Sequence, residues 1–295
     1  MKLHFQIAVL GSILTPPALG ALQESLAPES KTLAVRVETF SEVLEGGSGG
    51  MEFDAQGFVY CADFGSKLGP GSAGGNRIYK LDPSSGEASV FIEDLGGASG
   101  NAIGPGGNFI QSNIRNSSIR RIHPDGTSSV FLNKNLRNPV GIAIDPDGEP
   151  KVLASDPLLS CPNGIAFDDE QNLYVANFNN GDVIRVSWDG EVSKLTTLPG
   201  KNNGHLAYRA GHLYVVARGA HQIYKVSLDG KLELFAGSGA RGHDDGPALE
   251  ATFSFPNDLA FSPDEKFLYV NENASTTEPH TTLAPMLVRR VRLGD

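Results

Sequence analysis

Residues 162–197 read "PNGIAFDDEQNLYVANFNNGDVIRVSWDGEVSKLTT". This stretch contains four short runs rich in β-branched and aromatic residues, and turns rich in Asp, Asn and Gly separate them. Four short strands within about 40 residues are typical of one blade of a β-propeller. This stretch therefore predicts a four-stranded antiparallel blade, and the rest of the chain can be searched for copies of it.

Five other units begin with the same kind of short apolar strand followed by a turn. Each unit can be aligned on the last apolar residue before its first turn, and the spacings between these anchors are 50, 41, 23, 40 and 54 residues. Insertions in loops account for the two long spacings. The anchors are Phe53, Ile103, Ile144, Phe167, Ala207 and Phe261. The repeats predict an all-β, six-bladed propeller.

The short spacing falls at "GIAIDPDGEPKVLAS", residues 141–155. About 17 residues are missing at this point relative to the other units, enough for a second and a third strand. We therefore expect the third blade to be reduced to two strands, with a turn at Asp147-Gly148 and with Ile142 to Ile144 facing the neighbouring blades. The strand "TLAVRVETF", residues 32–40, should join the last blade and close the ring.

Composition and the N-terminus suggest an exported globular protein. The chain has 295 residues, 40% of them hydrophobic, and a net charge of -10, which argues against a nucleic-acid partner. Residues 1–20 resemble a secretory signal peptide whose apolar run is too short to span a membrane. We expect 21–31 to be a flexible segment and 32–295 a single propeller domain, secreted or periplasmic, acting as a monomer without a membrane partner.

Two groups of phrases resemble known propellers. "NPVGIAIDPDG" and "CPNGIAFDDEQNLYVANFNNGDVIRVSWDG" are similar to the SMP-30/gluconolactonase/LRE-like family of six-bladed propellers. "GSGARGHDDGPALEATFSFPNDLAFSPD", residues 237–264, is similar to an NHL repeat. The resemblance covers residues 43–293 and implies a divalent metal, expected to be Ca²⁺, in the central pocket. It also implies a small-molecule substrate.

Blade geometry indicates which side chains can reach that pocket. The loop before each inner strand and the end of each second strand lie on the same face of the ring. The first group comprises Ser99, Asn101, Asn138, Asn163, Asn203, His205, Asn257 and Asp258, and the second comprises Asp63, Asn113, Asn177, Arg218 and Glu272. Asp63, Asn113 and Asn177 recur at equivalent places in their blades, which favours a structural role. His205 and Arg218 break the repeat, which favours a functional role.

The resemblance assigns roles to some of these residues. Oxygen ligands suit Ca²⁺, and the metal ligands that it implies are Glu45 of "LEGG", Asn163 of "CPNG" and Asn257 of "PND". Asn203 or His205 stands where the family has an Asp. We expect Asp258 and His205 to be catalytic, and Asn101, Asn203 and Arg218 to bind substrate.

Two main classes of function and one further alternative are consistent with these assignments. The first is a metal-dependent hydrolase of a sugar lactone or similar cyclic ester, with water activated on the cation. The second is a non-catalytic NHL-type propeller that binds a ligand or a protein on the same face. A lyase similar to the virginiamycin B lyase propellers is a further alternative.

Overall fold

The computed structural model describes residues 35–69, 71–144 and 153–294. The predicted signal peptide, the flexible segment and the Asp147-Gly148 turn lie outside these residues. The described residues form an all-β propeller whose helical content is two 3-10 turns, Pro105–Gly107 and Arg218–Ala220. No helix in this part of the chain is long and apolar enough to cross a bilayer.

Four of the sheets are antiparallel and follow the chain order, from the inner strand to the outer one. The first strand of the chain, β1 (Arg36–Thr39), precedes them. Blade I contains β2 (Ser48–Phe53), β3 (Val59–Asp63), β4 (Ile78–Leu81) and β5 (Ala88–Ile92). Blade II contains β6 (Ala98–Ile103), β7 (Phe109–Asn113), β8 (Ser118–Ile122) and β9 (Ser128–Leu132). Blade III contains β10 (Pro162–Phe167), β11 (Leu173–Asn177), β12 (Asp182–Val186) and β13 (Val192–Thr197). Blade IV contains β14 (Leu206–Arg209), β15 (His212–Ala217), β16 (Gln222–Ser227) and β17 (Leu232–Ala236).

Blade V closes the ring. It contains β18 (Gly246–Pro247), β19 (Asp258–Phe261), β20 (Phe267–Asn273) and β21 (Met286–Arg292), and β1 pairs antiparallel with β21. The predicted union of the N-terminal strand with the last blade is therefore confirmed. The first and last described strands therefore lie in one sheet, and main-chain hydrogen bonds between them close the ring.

The prediction of six blades is wrong, because the described residues form five sheets. The described residues of the third unit form no sheet of their own, and its sequence is too short for a second and a third strand. Its inner segment still fills the gap between blades II and III. Ile142 and Ile144 pack against blade II, and Ala143 packs against blade III, in a cluster that also holds Ala154 and Leu159. Side chains that alternate between two faces are typical of an extended strand. We call residues 140–144, which lie between blades II and III, the wedge.

Candidate functional site

The inner strands approach one another most closely where they begin. Main-chain hydrogen bonds join neighbouring units there, from Gly100 N to Val140 O (3.1 Å) and from His205 N to Asn257 O (2.7 Å). Side-chain amides make further bonds, from Asn163 Nδ2 to Asn203 O (3.0 Å) and from Asn257 Nδ2 to the carbonyls of Ser48 and Gly49. We call this ring the collar; its residues are 48–50, 98–101, 140–142, 162–164, 203–205 and 257–258.

Glycine makes the collar possible. A Cβ on Gly100 would lie 2.3 Å from Val140 O, and one on Gly164 would lie 2.3 Å from the Cα of His205. The same steric conflict arises at Gly141 and Gly204, against the carbonyl oxygens of Asn163 and Asn257. Because the wedge supplies two of these contacts, the ring of inner strands is continuous although it has only five sheets.

A cavity of about 440 Å³ lies along the central channel, beside the collar. All five inner strands and the wedge line it, and the lining residues run from the collar to the ends of the inner strands, such as Phe167 and Phe261. The sequence predicted a pocket on the face where the inner strands begin, but that face is where the collar narrows the channel. The cavity therefore extends toward the opposite face.

Four polar side chains interrupt the repeat within this cavity. Equivalent positions of the inner strands and the wedge form rows around the channel. In one such row four units have glycine, at 50, 100, 141 and 164, and the other two have His205 and Asp258. In the next row, Asn101 stands among Met and branched aliphatic residues. In the row after that, Glu52 stands where the other units have alanine, at 102, 143, 166, 207 and 260. All four exceptions line the cavity.

Asp258 and His205 come from neighbouring blades and meet at the collar. His205 Nδ1 lies 3.4 Å from Asp258 Oδ2, and both side chains are buried. Asp258 also accepts hydrogen bonds from the main-chain N–H groups of Met51 and Leu259, each at 2.7 Å. Burial raises the pKa of Asp258 to about 7, although the two N–H donors favour its charged form. Burial also lowers the pKa of His205 to about 4, so the imidazole is neutral near pH 7.

Glu52 adds a second carboxyl group to the same cavity. Burial raises its pKa to about 7, the N–H of Phe53 opposes this shift, and the charge of Asp258 adds to it. Two carboxyl groups that repel each other's charge do not ionise together easily, so near neutral pH one of the two is ionised and the other is protonated. Sequence reasoning missed Glu52; the available signal was the row of alanines that it interrupts.

Asn101 is the unsatisfied member of this group. It is 8% exposed, and neither its amide oxygen nor its amide nitrogen has a hydrogen-bond partner among the residues that the structure describes. Leaving a buried amide unpaired costs about 1–3 kcal/mol, so a ligand that supplies the missing partners would gain that energy back. The predicted substrate-binding role of Asn101 stays a prediction, and this geometry supports it.

The other predicted site residues lie outside the cavity lining. Glu45 is exposed, Asn163 and Asn257 support the collar through their amides, and Asn203 is buried between blades. The role of Glu45, Asn163 and Asn257 as metal ligands stays a prediction. Among the described residues, no three His, Cys, Asp or Glu side chains are placed to share a metal ion.

The ends of the second strands have a recurrent structural role in four blades. Each accepts an N–H from the loop that leads into the inner strand of its own blade. The pairs are Asp63 with Gly47, Asn113 with Gly96, Asn177 with Ser160, and Glu272 with Ser254. The fifth member, Arg218, cannot accept such a bond. It reaches the carbonyl oxygens of Phe255 and His280 in the next blade instead.

Comparison with known proteins agrees with this architecture. The model of the SMP-30/Gluconolactonase/LRE-like region matches residues 24–219, two thirds of the chain. The chain belongs to this family. No curated protein sequence matches it.

Solved structures of low sequence identity share the fold of this family member. A gluconolactonase from Xanthomonas campestris is 16% identical with a TM-score of 0.64, and the match covers 97% of each chain. A luciferin-regenerating enzyme is 17% identical with a TM-score of 0.59, covering 87% of this chain and 95% of that one. A virginiamycin B lyase from Staphylococcus aureus, a catalytically inactive variant solved with quinupristin, is 14% identical with a TM-score of 0.55, covering 88% and 99%. Identities this low establish the propeller fold alone.

Proposed function

We propose that this SMP-30/gluconolactonase/LRE-like protein hydrolyses a small, uncharged lactone or similar cyclic ester in the central channel. The observation that carries the proposal is the convergence of Asp258, His205, Glu52 and Asn101, the four polar exceptions to the repeat, on one cavity. Membership of the family supports a reaction on a cyclic ester. The described lining of the cavity contains no Lys or Arg, which favours a neutral substrate over an anionic one.

The proposed reaction uses the two carboxyl groups as base and acid. Asp258, in its carboxylate form, takes a proton from a water molecule as the water oxygen bonds to the ester carbonyl carbon. The N–H groups of Asn101 donate to the carbonyl oxygen as it becomes negative. When the C–O bond of the ring breaks, protonated Glu52 donates its proton to the departing ring oxygen. Neutral His205 positions the Asp258 carboxylate.

The predicted Ca²⁺ does not fit the residues that were expected to hold it. Asn163 and Asn257 direct their amide nitrogens to main-chain carbonyls, and Glu45 is exposed. Calcium sites usually include carboxylates, and in the described part of the chain these two amides bond to main-chain oxygens and not to a carboxylate. No reaction step is therefore assigned to a metal. Calcium titration by calorimetry tests the metal prediction: it requires a single site that is lost in Asn163→Ala.

Product analysis in ¹⁸O-labelled water tests the proposed reaction. We expect turnover of at least one member of a panel of neutral lactones, with one ¹⁸O atom from water in the carboxylate of the product. An unsaturated product without ¹⁸O would indicate the lyase alternative. Saturable binding without turnover of any member would indicate a non-catalytic propeller.

We also propose export, on the basis of residues 1–20. In an expression host that secretes the protein, the mature chain should begin at Ala21, which N-terminal sequencing would detect. Recovery of the uncut chain inside the cell would contradict this.

A further inference from the structure

Arg218 marks a second polar cluster, on the face of the ring where the inner strands begin. Arg218 is 1% exposed, and its guanidinium carbon lies 5.1 Å from the centroid of the Phe255 ring. Its hydrogen bonds go to main-chain carbonyl oxygens in blade V, those of Phe255 and His280. The side chain lies outside the lining of the channel cavity, so the proposed hydrolysis does not use it.

Arg241 approaches the same ring from the NHL-like loop between β17 and β19. Its guanidinium carbon lies 4.4 Å from the Phe255 centroid. It is held by bonds from Nε to Ser254 Oγ (3.0 Å) and from Nη2 to Ser275 O (2.9 Å). Two guanidinium groups from different blades thus share one aromatic ring. We call Arg218, Arg241, Phe255 and His221 the cationic cluster.

His221 supplies a further donor to this cluster. Its ring centroid lies 4.6 Å from that of Phe255, and its Nδ1 accepts the main-chain N–H of Phe255 at 3.1 Å. The proton of the neutral imidazole therefore lies on Nε2, which can donate. Phe255 itself has a φ of 47°. Such a conformation is strained for a bulky residue and is concentrated at ligand sites.

The positive charge of the cluster is not neutralised from within. In the described part of the chain, no ion pair joins Arg218 or Arg241 to a carboxylate. Burial lowers the pKa of Arg218 to about 9, and the charge of Arg241 adds to this shift. The exposed Glu278 raises the pKa of Arg241, but burial outweighs its effect. Arg218 is buried and Arg241 is half-buried. Because buried charges are normally paired, an anion beside Arg218 would stabilise its charge.

We infer that the cationic cluster binds a small oxyanion, the phosphate or carboxylate group of a ligand, between blades IV and V. Each guanidinium carries five N–H donors. Arg218 uses two of them for its bonds to blade V, and Arg241 uses two for its bonds to Ser254 and Ser275, so both keep donors for a ligand. The planar guanidinium matches the paired oxygens of phosphate and carboxylate. None of the four residues of the cationic cluster lines the channel cavity, so the inference does not depend on the proposed hydrolysis.

Calorimetric titration of the full chain with inorganic phosphate, and separately with acetate, tests the inference. Chloride is used to hold the ionic strength constant. We expect saturable binding at one site. Arg241→Gln should weaken that binding about tenfold or more, since one charge-assisted bond contributes about 1.5–3 kcal/mol. Tighter binding of phosphate would point to a phosphorylated ligand, and equal or tighter binding of acetate to a carboxylate.

Two further variants complete the experiment, one as a control and one that conserves the charge. Arg121→Gln is the matched control, because Arg121 also lies over a single phenylalanine ring, 4.6 Å from the Phe131 centroid in blade II; its binding should equal that of the unaltered protein. Arg218→Lys keeps the charge but loses the planar group, and it should also bind phosphate more weakly. If neither anion binds saturably, or if Arg241→Gln binds as tightly as Arg121→Gln, the inference is wrong.

Discussion

Asp258→Asn should lower kcat/KM for the best lactone substrate by about 10²–10⁴-fold, the usual contribution of a general base. Asparagine has nearly the same size as aspartate and retains an oxygen that can accept one of the N–H groups of Met51 and Leu259. It cannot take a proton from water. The rates of both proteins on the same lactone measure the effect, and circular dichroism checks that the variant is folded.

Asp168→Asn is the matched control for this experiment. Asp168 is also a buried aspartate, directly after an inner strand, but it accepts bonds from Asn172 and Tyr174 and does not line the cavity. We expect this variant to be less stable and to keep its kcat/KM. Equal losses of activity in the two variants would mean that Asp258 acts through stability and not as a base.

Gly141→Ala should destabilise the protein by about 1–3 kcal/mol or more, the typical cost of overpacking a core. The new Cβ would lie 2.3 Å from the carbonyl oxygen of Asn163, and the backbone on both sides belongs to the collar. Gly141 belongs to the wedge, so the variant tests whether residues 140–144 hold the place of a sixth inner strand. Denaturant unfolding monitored by fluorescence measures the change in free energy.

Gly104→Ala is the control for the collar. Its Cβ would meet Ile144 Cδ1 at 3.3 Å, a flexible side-chain end that can shift, and its next neighbour is 3.7 Å away. We expect a small change in the free energy of unfolding. If Gly141→Ala proves as stable as Gly104→Ala, the wedge is loosely held and the collar is not continuous there.

The period of the sequence was enough to predict the propeller. Strand-length apolar runs and their Asp-Gly turns recur, and the closure of the ring through β1 follows from the unfinished last unit. The number of sheets was harder to predict, because a unit shortened to one inner segment still aligns with its neighbours in sequence. The anchor in the fourth blade also shifts by one residue: Ala207 pairs with Tyr214 as Ala260 pairs with Tyr269, so Tyr208 is the true equivalent of Phe261.

The candidate site was only partly predictable. His205, Asp258 and Asn101 were selected because of their places in the loops before the inner strands. Glu52 was missed because it lies within a strand, where side chains usually pack between blades. The direction of the cavity could not be read from the sequence either. It depends on how closely the glycines bring the backbones together, which is a property of the assembled ring.

The pH dependence of kcat/KM shows whether Glu52 and Asp258 act together as acid and base. Asp258 must lose its proton and Glu52 must keep its own, and both pKa values are raised to about 7 by burial. We expect a narrow bell-shaped pH profile centred near pH 7, whose two limbs belong to the pair and not to single residues. Glu52→Gln should remove the fall on the alkaline side. A rate that does not change between about pH 5 and pH 9, or the same bell in Glu52→Gln, would contradict this expectation.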